Sequence, residues 1–311
     1  MIGIETVSES LEFETIISSP CNTHLLEYID DTDIDIDKEE LAELLAHYTA
    51  FTPAIKKLQE ELKKSDSHKE HPNFLGSGST CEVFAIELDE RQFAVRIPTG
   101  KFTSPDIINT YITSLMSGKG ISHLEQIIAA SCTEGITISE LINGKDSGKM
   151  NLREIRDITD SQIEDFIDLL ILTYQKNITV DYKPSNILYN RDSGFSIVDY
   201  IVSKNNNTEE DKLEDIIKMG AQTIICFGFY TGEYKKEMDP EDYKNKLLLF
   251  KENLKVLKRY KSLLKSKIEG DTLLNSLDEI NLIIKSYRQN IKNHSNSKWI
   301  KTQIELSKGT E

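Results

Sequence analysis

The 311-residue chain is long enough to bury a sizeable core, and its length favours one large domain with appendages. It carries 37 Lys and Arg residues against 52 Asp and Glu residues, a formal net charge of −15 that argues against general nucleic-acid binding. No apolar run approaches the roughly 18 residues of a membrane span, and the first residues lack a secretory signal, so we expect neither a transmembrane segment nor export by the general secretory route.

Residues 1–37 are rich in acidic and small polar side chains, and we expect them to be weakly ordered. The alternating aspartates near their end resemble a calcium-binding loop. However, Ile36 stands where that loop needs its turn glycine, and Ala42 stands where it needs a bidentate glutamate. A solvated acidic linker is the better interpretation. Residues 38–72 are predicted to be a helix followed by a polar linker, because apolar residues recur there at helical spacing.

The region 73–238 is predicted to begin with a small antiparallel sheet and to continue with helices, and 239–311 to be helical and Lys-rich. Four cysteines are widely spaced without a C-x-x-C pair, which predicts reduced and mostly buried thiols. The predicted elements are three strands within 74–98, a helix at 104–116, strands at 127–131 and 136–140, a helix at 161–176, strands at 187–189 and 195–198, and a helix at 215–226.

A short loop near the middle of the chain has the polar residues of a phosphoryl-transfer centre. Asp181 would accept the proton of a substrate hydroxyl or orient it, and Lys183 would neutralise the phosphoryl group as it moves. Asn186 and Asp199, which are 13 residues apart, would supply the hard oxygen ligands that Mg²⁺ requires. The alternative is a polar loop that only caps the neighbouring helix.

A glycine-rich phosphate lid is expected upstream of such a centre. The chain has a similar loop that lacks the third glycine, and the strand after it has an arginine in place of the expected lysine. Gly76 and Gly78 are two of the three glycines of a G-x-G-x-x-G-x-V loop, and Cys81 stands at the third position. Glycines there would let backbone N–H groups approach phosphate without an intervening Cβ. The next strand carries Arg96 where a phosphate-binding lysine is expected, and a planar guanidinium does not replace a compact ammonium.

The order and spacing of these pieces resemble the protein-kinase superfamily over roughly residues 70–232. The resemblance implies an α+β, bilobal, protein-kinase-like fold with a small antiparallel β N-lobe at 73–142 and a mostly helical C-lobe at 143–238. Additional helices would lie at both ends, those at the C-terminal end forming an extension at 239–311. The resemblance also implies ATP and Mg²⁺ as cofactors.

The same resemblance implies further residues around the nucleotide. Val83 matches the valine of the lid motif, and Ala94 matches the alanine two residues before the phosphate-binding position. The run from Ile136 to Gly144 is similar to the strand and hinge that hold an adenine ring. Glu140 and Ile142 would offer backbone groups to that ring.

Asp215 opens a D-x-x-x-x-G helix similar to the buried C-lobe helix whose aspartate holds the catalytic loop in place. Ordinary helix N-capping is the alternative role for this residue. Fifteen residues separate Asp199 from Asp215, and no A-P-E motif lies between them. A conventional activation segment is therefore missing.

Other positions also depart from the kinase pattern. Thr179-Val180 replaces the usual His-Arg before the catalytic aspartate, and Tyr200-Ile201 replaces the Phe-Gly after the metal-binding one. The predicted helix at 104–117 has no glutamate to pair with the phosphate-binding position. Asp106 and Glu125 are the candidate substitutes.

A catalytic loop without His-Arg, a truncated activation segment and a two-glycine lid are together similar to the compact kinases that enteric pathogens inject into host cells by type III secretion, the Shigella OspG and NleH type. This resemblance implies a Ser/Thr protein kinase that acts on host proteins in the host cell cytoplasm, or is otherwise cytoplasmic. It also implies stimulation by a host partner such as a ubiquitin-conjugating enzyme.

Two alternative functions remain open at this point. The chain is a pseudokinase if it binds a partner, with or without nucleotide, and regulates without phosphorylating, which Arg96 and the missing helical glutamate favour. A small-molecule kinase of the aminoglycoside or choline type also lacks an A-P-E segment. The Lys-rich helices at the C-terminal end are candidates for an anionic ligand, with a solvated helical face as the alternative.

Overall fold

The computed structural model describes residues 19–32, 36–78, 80–99, 104–202, 213–228 and 240–296. Within these residues the chain is α+β, with a five-stranded antiparallel sheet and eight α-helices. The predicted α+β class is confirmed, and no helix in the described part is long and apolar enough to cross a membrane. The chain divides into two compact units, residues 1–142 with 200–206 and residues 143–199 with 207–311.

The first unit is built on the five-stranded sheet, in which the strand order is β1-β2-β3-β5-β4 and all neighbours are antiparallel. The turn between β2 and β3 lies at Asp89 and Glu90, whose φ values of 50° and 62° suit a two-residue hairpin. All five strands were predicted. They are β1 Phe74–Ser77, β2 Cys81–Leu88, β3 Arg91–Pro98, β4 Ile127–Ser131 and β5 Ile136–Glu140.

One face of this sheet is covered by the predicted amphipathic helix, α2 (Lys38–Lys63). Asp37 caps the N-terminus of the helix, because its Oδ1 accepts hydrogen bonds from the backbone N–H groups of Glu39 and Glu40 at 2.8 and 3.3 Å. Side chains alternate along a strand, so Val83, Ala94 and Arg96 lie on the opposite sheet face from the core. The core between helix and sheet contains Tyr48, Phe51, Ile55, Leu58, Leu62, Phe84, Ile86, Phe93 and Val95.

Two more helices belong to the first unit, α1 (Pro20–Thr32) and α3 (Pro105–Ser117). The expectation of weak order at 1–37 is wrong for α1, whereas residues 1–18 and 33–35 lie outside the described part. The Tyr28 hydroxyl is 2.7 Å from Thr110 Oγ1, and Asn109 Nδ2 is 2.8 Å from His24 Nδ1. These contacts with α3 stabilise a helix that its own sequence supports weakly.

The second unit contains five helices and a small sheet in the order β6-β8-β9. The predicted helices at 161–176 and 215–226 are confirmed within two residues at their ends. The elements of this unit are β6 Lys145–Asp146, α4 Leu152–Asp157, α5 Asp160–Gln175, β7 Ile178–Val180, β8 Ile187–Asn190, β9 Gly194–Ile197, α6 Leu213–Ile225, α7 Pro240–Leu264 and α8 Gly270–Asn296. The strand β10 (Tyr200–Val202) belongs to the first unit.

The two C-terminal helices pack against α6 through buried tyrosines. The Tyr260 hydroxyl of α7 donates to the Ile217 carbonyl at 3.0 Å, and the Tyr287 hydroxyl of α8 donates to the Ile225 carbonyl at 2.9 Å. Asn253 of α7 also donates to the Ile225 carbonyl, so the end of α6 is capped by side chains from two other helices. The described part of the predicted C-terminal extension therefore shares a core with the predicted C-lobe.

Candidate active site

The predicted catalytic aspartate and lysine lie on the loop that follows β7, within the second unit. The Lys183 Nζ is 2.5 Å from Asp181 Oδ2. The two side chains are 68 % and 46 % exposed, so their ion pair adds little to stability. Both groups are thus accessible to a molecule in solution.

Asn186 links this loop to the strand before Asp199. Its buried side chain donates from Nδ2 to the Asp181 carbonyl at 3.1 Å, and its own carbonyl accepts from the Val198 N–H at 2.9 Å. The donated hydrogen bond fixes the orientation of the amide, which leaves Oδ1 as the atom that can coordinate a cation. The Ser185 hydroxyl approaches Oδ1 only at 3.4 Å.

Asp199 is half-buried and has a φ of 62°, in the left-handed region. Few residues other than glycine adopt this conformation, although aspartate tolerates it better than most, and such strain is concentrated at functional sites. In the kinase pattern a glycine, which tolerates a positive φ, stands where this chain has Ile201. In the structure Ile201 lies in the extended strand β10, and the positive φ is at Asp199 instead.

The loop is held in place by two hydroxyl side chains that the sequence did not single out. The Ser147 hydroxyl donates to the Pro184 carbonyl at 2.9 Å, and the Thr223 hydroxyl of α6 donates to the Tyr182 carbonyl at 3.2 Å. Asp215, predicted for this role, is exposed in the first turn of α6 and makes no hydrogen bond to the loop among the described residues. Serine and threonine carry no distinctive spacing, which explains why the motif search missed them.

In the predicted lid of the first unit, the Gly78 N–H donates to the Cys81 carbonyl at 2.9 Å. Neither Gly76 nor Gly78 has a positive φ. Among the described residues, a Cβ added at Gly76 would meet no heavy atom within 4 Å, and one at Gly78 would meet only the Cys81 carbonyl oxygen at 3.9 Å. The described fold therefore does not require glycine here, and the open space favours close approach of a ligand.

Arg96 forms a buried, bidentate ion pair with Glu125 in the first unit. Its Nη2 is 2.6 Å from Glu125 Oε2, and its Nη1 contacts Oε1. The side chains are 9 % and 3 % exposed. Of the two candidate substitutes for the missing helical glutamate, the structure selects Glu125, which lies between α3 and β4 rather than on the helix. The guanidinium also lies over the Tyr111 ring, 5.3 Å from its centroid.

This arrangement explains how an arginine fits at the lysine position. A guanidinium has five N–H donors, and the Arg96 fork gives a donor from each Nη to one carboxylate. Such a pair needs both partners, because either charge alone would be buried without compensation. Within the described part of the chain, Glu125 therefore does not use all of the Arg96 donors, although the burial of Arg96 restricts the direction from which a further acceptor could reach them.

The predicted hinge is partly engaged within the protein. The Glu140 N–H donates to the Gln126 carbonyl at 2.9 Å, so it is not free for an adenine ring. The Glu140 side chain is 3.6 Å from Arg91. The prediction of adenine contacts is thus limited to the Glu140 carbonyl and the backbone of Ile142, the last residue before the second unit begins.

No group of three or more His, Cys, Asp or Glu side chains in the described residues could hold a metal. An asparagine and one aspartate supply few protein ligands, but magnesium in phosphoryl-transfer enzymes is held largely by substrate phosphates and water. The Asn186 amide oxygen and the Asp199 carboxylate are ligands of the right chemistry for such an ion. The residues present therefore fit Mg²⁺ bound together with a nucleotide.

Some basic residues of the Lys-rich C-terminal region form ion pairs within the protein. In the second unit Arg259 Nε is 2.6 Å from Asp160, and Lys267 Nζ is 2.6 Å from Asp168, both on α5. These two basic residues form ion pairs within the unit, so an anionic ligand stays a prediction for the exposed lysines of the C-terminal helices, among them Lys258 of α7 and Lys285 of α8.

Compared with known proteins, the chain matches no protein-family model and no curated protein sequence. Membership of the protein-kinase superfamily therefore stays a prediction from the motifs and their geometry.

Proposed function

We propose that the protein is an ATP- and Mg²⁺-dependent Ser/Thr protein kinase. The observation that carries this proposal is the Asn186 amide, which binds the Asp181 carbonyl while its backbone binds the strand leading to Asp199. A loop that only caps a helix would not need an amide oriented in this way beside an aspartate with left-handed backbone geometry.

In the proposed reaction Asp181 orients the acceptor hydroxyl of a protein substrate and accepts its proton. Lys183, with its Nζ 2.5 Å from that carboxylate, neutralises charge on the transferred phosphoryl group. Both side chains are exposed enough to meet a macromolecular substrate. The proposed roles of Asp181 and Lys183 are to position the substrate and to compensate charge. These are the main contributions of a protein to phosphoryl transfer.

The metal would be held by the Asn186 Oδ1 and the Asp199 carboxylate. When bound, Mg²⁺ supplies charge neutralisation on the nucleotide phosphates. The lid glycines leave room for phosphate near backbone N–H groups, and the guanidinium of Arg96 supplies positive charge on the sheet face away from the core. Val83 and Ala94, on that same face, would contact the adenine ring.

The resemblance to injected effector kinases extends the proposal to the substrates, the place of action and the activator. It supports host proteins as substrates, the host cell cytoplasm as the place of action, and a host partner such as a ubiquitin-conjugating enzyme as an activator. The missing activation segment is consistent with activation by a partner rather than by loop phosphorylation.

One observation favours a pseudokinase as the second candidate. The Arg96 side chain is only 9 % exposed, and Glu125 binds both of its Nη atoms. An arginine held in this way could stabilise the first unit without contacting phosphate at all. A pseudokinase would then bind its partner through the same fold and transfer no phosphate.

The test measures phosphate transfer from labelled ATP with Mg²⁺ to host-cell extract, together with nucleotide-dependent thermal stabilisation. The Asp199→Asn variant removes the proposed metal ligand. Asp192→Asn is the matched control, because it neutralises an exposed carboxylate in the nearby β8–β9 turn. Transfer that is lost only in Asp199→Asn supports the kinase. Stabilisation without transfer supports a nucleotide-binding pseudokinase, and the absence of both overturns the kinase.

A further inference from the structure

Tyr200 is buried in the first unit, and its hydroxyl is bound to the backbone of the residue that holds Arg96. The side chain is 1 % exposed, and its hydroxyl donates to the Glu125 carbonyl at 2.8 Å. The Leu115 carbonyl at the end of α3 lies 3.5 Å from the same oxygen. Burial raises the pKa of Tyr200 well above its ordinary value, so the hydroxyl stays protonated and can donate.

The space for this ring depends on a glycine. A Cβ at Gly118 would lie 2.5 Å from the Tyr200 Cζ and closer still to its oxygen. Gly118 has a φ of −85°, which any residue can adopt, so its backbone conformation does not require glycine. Glycine is needed because the Tyr200 hydroxyl occupies the space that a side chain at position 118 would fill. Tyr200 can therefore occupy this position only if residue 118 is glycine.

Tyr200 also follows Asp199 directly in the chain. Asp199 has a φ of 62°, and a strained backbone of this kind persists only where its surroundings over-determine it. Tyr200 supplies one such restraint, since its ring and hydroxyl fix the direction in which the chain leaves Asp199. A phenylalanine would fill the same volume but could not bind the Glu125 carbonyl, which makes the hydroxyl the atom with a separable role.

We propose that Tyr200 is a positioning residue whose hydroxyl fixes Glu125, and through it the Arg96 guanidinium, to the main chain immediately after Asp199. This inference rests on the proposed function for its consequence in nucleotide binding, but not for the structural coupling itself. A single hydroxyl would thus connect the phosphate-binding arginine with the residue next to the proposed metal ligand.

The experiment compares Tyr200→Phe with Tyr260→Phe in the full chain. Tyr260 is the matched control, because its hydroxyl is also buried and donates to a backbone carbonyl, that of Ile217, at 3.0 Å. The first readout is the NMR signal of the Arg96 Nε–H in nucleotide-free protein, assigned with Arg96→Lys. We expect Tyr200→Phe to shift this signal and to speed its exchange with water, and Tyr260→Phe to leave it unchanged.

The second readout is the Mg²⁺ concentration needed for half-maximal ADP binding. Loss of one hydrogen bond predicts an increase of about fivefold in Tyr200→Phe, with little change in Tyr260→Phe. Gly118→Ala, which displaces the ring, should shift the Arg96 signal in the same way. An unchanged Arg96 signal in Tyr200→Phe overturns the inference. A wild-type protein that binds no ADP overturns the proposed function instead, while the Arg96 signal still tests the coupling.

Discussion

Glu125 binds Arg96 through both carboxylate oxygens in a buried ion pair, although the two residues are 29 positions apart. The pair takes the place of a lysine–glutamate pair that the motif comparison expected between a strand and a helix. Here the acid lies after the helix instead of on it, and a forked cation replaces a compact one. Both side chains are buried, so each charge compensates the other.

Removal of Glu125 should strongly destabilise the protein. In Glu125→Ala the Arg96 charge stays buried without a partner, which costs about 3–5 kcal/mol of unfolding free energy. Urea denaturation measures this loss. The control is Asp30→Asn, which breaks a pair with Lys38 whose side chains are 61 % and 50 % exposed, and we expect a change below about 1 kcal/mol there. Equal losses in the two variants would contradict the ion pair.

Replacement of Arg96 by lysine should weaken both stability and nucleotide binding. A lysine has no planar fork with which to bind both Glu125 oxygens, so the carboxylate is left partly unsatisfied. The measurements are urea denaturation and the affinity for ADP with Mg²⁺. Higher phosphate transfer in Arg96→Lys would show instead that the arginine occupies a position better served by lysine.

Alanine substitution should separate a glycine kept for ligand binding from one kept for packing. Gly76→Ala should leave the unfolding temperature unchanged but weaken ADP binding, since its Cβ meets nothing described within 4 Å. Gly144→Ala places a Cβ 2.8 Å from the Leu188 Cβ and should cost about 1–3 kcal/mol of stability. Unchanged ADP affinity in Gly76→Ala would argue against a phosphate lid.

The stabilising effect of Glu252 should depend on pH. Burial opposes ionisation of this carboxyl, but hydrogen bonds and ion pairs with Lys255 and Arg156 outweigh it and lower its pKa below the ordinary value of 4.5. A lowered folded pKa means that the ionised form stabilises the protein above pH 4.5, and that this contribution disappears as the pH falls through the folded value.

Glu252→Gln should therefore be less stable than wild type at pH 7, and the difference should shrink in acid. Urea midpoints measured between pH 7 and the acid range give the comparison. A difference that stays constant with pH would mean that the carboxylate charge has no part in it.

Thiol reactivity should divide the cysteines by burial. The four cysteines are free, as predicted, but only Cys132 is fully buried, whereas Cys21 is exposed. Burial, with a smaller contribution from Cys21, raises the pKa of the Cys132 thiol to about 12, so almost no thiolate forms at pH 8. Iodoacetamide should label Cys21 rapidly and Cys132 only after unfolding, as peptide mass spectrometry would show. Rapid labelling of native Cys132 would contradict this burial.

Much of the fold could be predicted because the local pattern and the tertiary environment agree. The apolar spacing from Leu41 to Leu58 predicted α2, and the later residues of that pattern, from Tyr48 to Leu58, form the core against the sheet. The helix α1 could not be predicted in this way. Its stability depends on α3, through Tyr28 and His24, and a weak local pattern carries no information about such a distant partner.

The chain order of polar residues by itself placed Asp181, Lys183, Asn186 and Asp199 in one candidate site, because motif chemistry depends on short spacings along the backbone. Only the tertiary structure decided which acid binds Arg96, since Asp106 and Glu125 were equal candidates in the sequence. It also showed that the Tyr200 hydroxyl donates to the Glu125 carbonyl and that a side chain at position 118 would clash with the Tyr200 ring. Ion pairs and close ring contacts depend on distances of a few ångströms between residues far apart in the chain, and those distances are set by how the sheet and α3 pack.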